Sequence, residues 1–177
     1  MIKTARLVLR APTDADRDAI SAINADPRVG DWLGGVQNRA SSDALVDRID
    51  ACIAAHGYGF WAAERKADGV LVGLIGLLPI LADSPLPFAS GVEIGWRLSP
   101  DAWGRGYAAE GAAAALAWGL ANLDVAEIVS FTARSNLKSQ AVMSRIGLRR
   151  DEARDFDHPK LAQDHPLRAH VVYFKRR

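Results

Sequence analysis

Cysteine is almost missing from this chain: Cys52 stands alone among 177 residues, so no internal disulfide can form. That fits a reducing, cytoplasmic compartment. An excess of one charge is missing too, since 22 Lys and Arg face 21 Asp and Glu for a formal net charge of +1. The balance supplies no global attraction to nucleic acid or to an anionic membrane surface, and neither is expected as a partner. No apolar run follows a basic segment at Met1-Ile2-Lys3-Thr4, so no secretory signal is expected. The longest nearly apolar stretch, residues 70 to 82, falls short of the roughly 20 residues a membrane span needs. Gly73, Gly76 and Pro79 interrupt it, and it reads as a buried strand. Repeats, low-complexity tracts and linkers are absent as well.

What the chain does have is an ordinary core composition, 49% hydrophobic and 24% charged, at a length that suits a single domain spanning residues 1–177. Thr4 to Arg10 alternates as a half-buried strand that Pro12 ends. Thr13 caps a helix running through Ala25, with Asp14 and Asp16 at its positive end, and Pro27 closes it. Ser41 or Ser42 caps a second helix that stops near Gly57 and Gly59. Tyr58 to Arg65 and Val70 to Ile80 are β-rich runs about Asp68-Gly69, a tight-turn dipeptide, and imply an antiparallel pair. Val92, Ile94, Trp96 and Leu98 alternate with Glu93, Gly95 and Arg97, giving a strand with one polar face. An Ala-rich helix from Gly106 to Asn122 follows, then a strand from Val125 to Ala133. Asn136 caps a short helix ended by Gly147, and Ala169 to Phe174 is a last strand. This order implies an α/β fold: a single-domain, mixed, mostly antiparallel sheet flanked by helices.

The densest chemical signal is Trp103-Gly104-Arg105-Gly106-Tyr107-Ala108-Ala109-Glu110, placed after a strand and opening a helix. Small residues there let backbone N–H groups approach an anion where the helix start adds partial positive charge, and a pyrophosphate is the natural ligand. Gly104, Gly106 and Ala109 also match a dinucleotide fingerprint, which keeps an NADP-dependent oxidoreductase as an alternative. The antiparallel meander before the loop argues against that alternative. So does the end of the following strand, where Ala133 and Arg134 stand in place of an acidic residue.

These features, taken in order, resemble the GNAT N-acetyltransferases, and in particular the branch typified by ribosomal-protein alanine acetyltransferases. The resemblance rests on Thr4 to Arg10, Asn24 with Asp26-Pro27, Glu93-Ile94-Gly95-Trp96, Trp103 to Ala108, and Asn136 with Ser139 leading to Ile146-Gly147-Leu148. It implies acetyl-CoA as acyl donor, with no metal, and an amine acceptor. The amides of Gly104, Arg105, Gly106, Tyr107, Ala108 and Ala109 would cradle the CoA pyrophosphate, and the pantetheine arm would follow Ile94, Trp96 and Leu98. Arg134, Asn136 and Lys138 would be further CoA contacts. Two departures stand out. Asp101 sits where the family often has Gln or Arg, and Met143 sits where it often has the Tyr that protonates the thiolate, so Ser139 is carried over as that acid. A non-catalytic acyl-CoA-binding module is the alternative these departures favour.

Amide formation from a thioester needs a neutral amine, a polarised carbonyl and a protonated leaving group. An α-amine meets the first need readily, whereas keeping a lysine amine neutral at pH 7 costs about 5 kcal/mol. Glu93, a carboxylate on an otherwise apolar strand, is the candidate general base, directly or through water. Trp32, Phe60, Trp61 and Trp96 are aromatic candidates for an acceptor pocket, against the plain reading as core. Asp157-His158-Pro159 recurs as Asp164-His165-Pro166, with His170 after it. The spacing suits proline-bounded loops rather than a metal site, and His158 is a candidate for the acceptor mouth. The acceptor's identity and the oligomeric state stay open, a homodimer included.

Overall fold

Leu7 and Leu9 are fully buried while Val8 and Arg10 are not, so the period-two pattern becomes a strand with one face in the core. The computed structural model describes residues 1–88 and 90–177. Its strands are β1 (Ile2–Lys3), β2 (Leu7–Arg10), β3 (Phe60–Arg65), β4 (Leu71–Ile80), β5 (Gly91–Leu98), β6 (Glu127–Ala133), β7 (Arg149–Arg150), β8 (Phe156–Asp157) and β9 (Ala169–Arg176). The helices are α1 (Arg17–Ala25), α2 (Pro27–Gly30), α3 (Arg39–His56), α4 (Tyr107–Asn122) and α5 (Leu137–Arg145). The strands form one sheet in the order β1-β2-β3-β4-β5-β6-β9-β7, with β8 also on β9. Among the described residues only β5 and β6 pair in parallel. The expected mixed, mostly antiparallel sheet is therefore what forms, and the parallel βαβ repeat of a dinucleotide-binding fold is not.

Helices cover both faces. On one, α4 packs against Leu7, Leu9, Ile75, Leu77, Ile94 and Ile128. Glycines let it approach closely: a Cβ at Gly111 would meet Ile75 Cδ1 at 2.5 Å, and one at Gly119 would meet Ile128 Cδ1 at 2.7 Å. On the other face Ile20, Val46, Ile49 and Leu74 join α1 and α3 to β4. Because β4 is buried on both sides, its sequence reads as an unbroken apolar run rather than an alternation.

Local chemistry matches expectation at most element ends. Gly57 and Gly147 adopt positive φ at helix ends, and Gly69 does so in the β3–β4 turn. Two helix starts differ. Thr13 starts a short 3-10 turn, Asp14–Asp16, before α1, with Asp16 accepting from the Thr13 N–H at 2.7 Å. The cap of α3 is Asn38, whose Oδ1 accepts from the Ser41 N–H at 2.9 Å, rather than Ser41 or Ser42. Ser42 is instead buried and accepts from Asn24 Nδ2 at 2.8 Å.

The feature that shapes the site is a split in the sheet. β5 and β6 pair only at Val92↔Ile128 and Glu93↔Val129. Beyond that point β5 stays with β4 as far as Gly73↔Leu98, and β6 stays with β9 as far as Ala133↔His170. Each strand follows its outer neighbour, so an open cleft runs between residues 94–98 and 130–133.

Candidate active site

Two adjoining cavities occupy the cleft, of about 590 Å³ and about 420 Å³. Trp32, Leu33, Trp96, Arg97, Asn136 and Ser139 line both and form the passage between them.

The first cavity runs along β5 to the glycine loop. Leu98, Gly104, Gly106, Tyr107, Ala108, Ala109 and Lys138 line it, so the sequence-predicted group assembles there. Gly104 and Gly106 have φ of +72° and +80°, which lets the chain turn sharply into α4. The Glu110 N–H reaches the Gly106 carbonyl at 3.0 Å. The amides of residues 107 to 109 lie in the first turn, where no intrahelical carbonyl can serve them, and an anion fits there. Lys138 lies 5.1 Å from the Trp103 ring centre and adds a cation on the same side. The Asn136 Oδ1 accepts from the Ser139 N–H at 3.1 Å, holding the start of α5 and the Ser139 hydroxyl at the passage.

The second cavity lies on the α1/α3 side. Glu93, Gly95, Phe60, Leu45, Phe131, His158 and His170 are among its walls. Burial pushes the Glu93 carboxyl up to about 7, into the range where it can take a proton at neutral pH. A Cβ on Gly95 would sit 3.7 Å from Glu93 Oε1 and 2.9 Å from Phe60 Cζ, so the bare glycine leaves the carboxyl uncovered. His158 and His170 rings lie 4.9 Å apart, and burial lowers the pKa of both. Among the described residues no group of His, Cys, Asp and Glu is arranged to hold a metal ion.

Several expected site residues lie elsewhere. Trp61 is a correction: it is 5% exposed, packs edge-on against Trp118 at 5.5 Å and borders neither cavity, because its strand position faces the α4 core. Ile94 is fully buried on that face, so only its main chain can border the cleft. Arg105 is exposed and outside both cavities, its carbonyl accepting from Arg6 Nη1 at 3.0 Å. Arg134 is also exposed and outside them, 3.5 Å from Asp155. Arg97 is the residue that the sequence analysis passed over. An arginine on the polar face of a strand reads as solvated, and only the fold brings Asn24 of α1 against its guanidinium.

Comparison with known proteins gives a consistent result. The family profile "Acetyltransferase (GNAT) domain" matches residues 6–149. An Aspergillus fumigatus protein, "FsC-acetyl coenzyme A-N(2)-transacetylase", is 30% identical over 152 residues, 83% of this chain. The chain spans 64% of that relative's length, a little under two thirds. The Bacillus subtilis N-acetyltransferase YnaD is 37% identical over 151 residues, covering 85% of this chain and 83% of that protein. Among solved structures, an acetyltransferase from Agrobacterium tumefaciens str. C58 superposes with a TM-score of 0.78 at 30% identity, covering 99% of this chain and 94% of that one.

Proposed function

The chain belongs to the GNAT acetyltransferase family, whose enzymes use acetyl-CoA as acyl donor, and on that premise we propose that it acetylates a primary amine by direct attack within a ternary complex. The observation that supports this reading is the β5–β6 split. It joins a cavity ending in an anion-ready helix start to a second cavity holding a carboxyl poised near neutrality. The first suits the donor, with pyrophosphate at the amides of residues 106 to 109 and Lys138 beside it. The second suits the acceptor.

The bonds balance as follows. The amine nitrogen lone pair forms a C–N bond to the thioester carbonyl carbon, and a free main-chain N–H of β5 stabilises the oxyanion. The nitrogen's surplus proton passes to Glu93, directly or through water. The C–S bond then breaks and its electron pair leaves on sulfur; the Ser139 hydroxyl relays a proton from solvent to complete the CoA thiol, and Glu93 returns the amine's proton to solvent. Residues 1–177 act here as one acetyltransferase domain. The likeness to ribosomal-protein alanine acetyltransferases makes an N-terminal α-amine one acceptor of the right basicity, and a small-molecule amine is another.

Thermal unfolding with acetyl-CoA, CoA and NADPH tests the donor. Acetyl-CoA at about 100 times its dissociation constant should add roughly 2.7 kcal/mol of stability, and NADPH nothing. CoA release across a panel of amines then tests transfer. A shift with NADPH alone, or binding of acetyl-CoA with no release of CoA to any amine, overturns the reading.

A further inference from the structure

Arg97 shares a face of β5 with Glu93 and Gly95 and lines both cavities at the passage between them. Its Nη1 donates to Asn24 Oδ1 at 2.7 Å, and among the described residues no carboxylate lies within 4.0 Å of it. Asn24 is itself fully buried and held in place. Its Nδ2 donates to Ser42 Oγ at 2.8 Å, and its carbonyl accepts from the Gln37 N–H at 2.9 Å. The amide oxygen is thereby aimed at the guanidinium and orients it, but an amide is no counter-ion. A guanidinium has several N–H donors, and Asn24 takes one. Enclosed cations are costly unless paired, and here burial and the nearby charge of Arg48 push Arg97 down to about 10.

The rest of the second cavity does not supply the missing charge. Its other ionisable walls are Glu93, His158 and His170. Both histidines are held towards the neutral form, and Glu93 is committed to the amine. A polyamine's further ammonium groups would meet Arg97, while Glu93, the acidic wall of the cavity, is already engaged by the reacting amine. A carboxylate would find a preorganised fork and could pair bidentately.

Building on the acetyltransferase reading, we propose that the acceptor is a small amine that also carries a carboxylate, and that Arg97, oriented by Asn24, selects it. The acceptor's apolar body would lie against Phe60, Leu45 and Phe131. The phosphates of the donor do not claim Arg97. The helix start that suits them lies along α4, whereas the Arg97 side chain reaches α1 on the opposite face of β5.

The test uses matched acceptors: glycine, β-alanine and L-phenylalanine, each beside its carboxamide, with spermidine as polycation and CoA release as readout. The expected kcat/KM favours a carboxylate over its amide by at least about tenfold. Arg97→Gln should collapse that ratio toward one, chiefly through the KM of the carboxylate, and Arg97→Lys should keep part of it. The KM for acetyl-CoA should change far less than the KM of the carboxylate in both variants, whose folding is checked by thermal unfolding. If neither variant folds, the ratio in the unsubstituted protein decides alone. A ratio near one there, spermidine as the better acceptor, or Arg97→Gln lowering both members equally overturns the proposal while leaving the transferase reading intact. CoA release to none of these amines or any other ends the transferase reading, and this proposal falls with it.

Discussion

Arg6 and Glu110, 104 residues apart in the chain, tie the amino-terminal strand region to the glycine loop. The Arg6 N–H and Nε donate to the two Glu110 carboxylate oxygens at 2.7 and 2.6 Å. Arg6 Nη1 also donates to the Arg105 carbonyl at 3.0 Å, and the guanidinium lies 4.7 Å from the Tyr107 ring centre. The loop that presents amides to an anion is thus braced from outside.

Loosening that brace should weaken the donor site more than the fold. For Arg6→Ala, the KM for acetyl-CoA should rise about five- to tenfold, equivalent to roughly 1 kcal/mol of lost positioning. The melting temperature should fall by only about 2–4 °C. Steady-state kinetics at saturating amine, with a melting curve of the same variant, reads both. An unchanged KM for acetyl-CoA would show that the brace does not position the loop.

Glu93 should set both the acid limb of activity and one pH dependence of stability. Burial raises its pKa to about 7, from about 4.3 in an unfolded chain, so the native state holds a proton that the unfolded state has lost. The stabilising effect of that proton is fully present below about pH 4 and is lost as pH rises through 7. Glu93→Gln should therefore cut kcat about 100- to 10,000-fold. It should also remove the kcat/KM limb near pH 7, and raise stability at pH 8 by about 1–3 kcal/mol. A variant that loses activity without gaining stability at pH 8 would mean that the carboxyl is not buried as described.

The two tryptophans should part company. Trp61→Ala empties a core position and should cost about 3–5 kcal/mol, lowering the melting temperature by roughly 6–20 °C. Trp32 is 36% exposed and lines both cavities, so Trp32→Ala should change stability by less than about 1 kcal/mol and raise KM for donor and acceptor alike. Melting curves and two-substrate kinetics on the pair check this, and equal thermal losses would contradict it.

Asn136 and Ser139 separate structure from chemistry within one turn. Asn136→Ala removes the α5 cap and should cost about 1 kcal/mol. Ser139→Ala keeps the N–H that the cap binds and removes only the hydroxyl. It should lower kcat at least about tenfold with stability within about 0.5 kcal/mol. A Ser139→Ala enzyme with full kcat would assign thiolate protonation to solvent.

Much of the fold was legible because local chemistry and tertiary packing agree. Asp68-Gly69 turns the β3–β4 hairpin, Asn136 caps α5, Gly147 ends it, and the alternation about Glu93 becomes β5. The misread cap of α3 is instructive. Asn38 and Ser42 are both good caps in isolation, and the choice fell to Asn38 because Ser42 is drawn into the buried pair with Asn24. The short strands β7 and β8 carried no readable signal, since two residues show no period and only pairing with β9 makes them strands.

By itself the sequence determined the order of the longer elements, the glycine turn into α4 and the carboxylate on β5, because turn residues, caps and side-chain period act within a few residues. The tertiary structure alone decided that β5 and β6 part after two paired residues, that Trp61 is core while Trp32 borders the cleft, and that Arg97 is enclosed without a counter-ion. Those outcomes depend on which distant elements pack against a face, and residues far apart in the chain, such as Asn24 and Arg97, meet only when the helices close over the sheet.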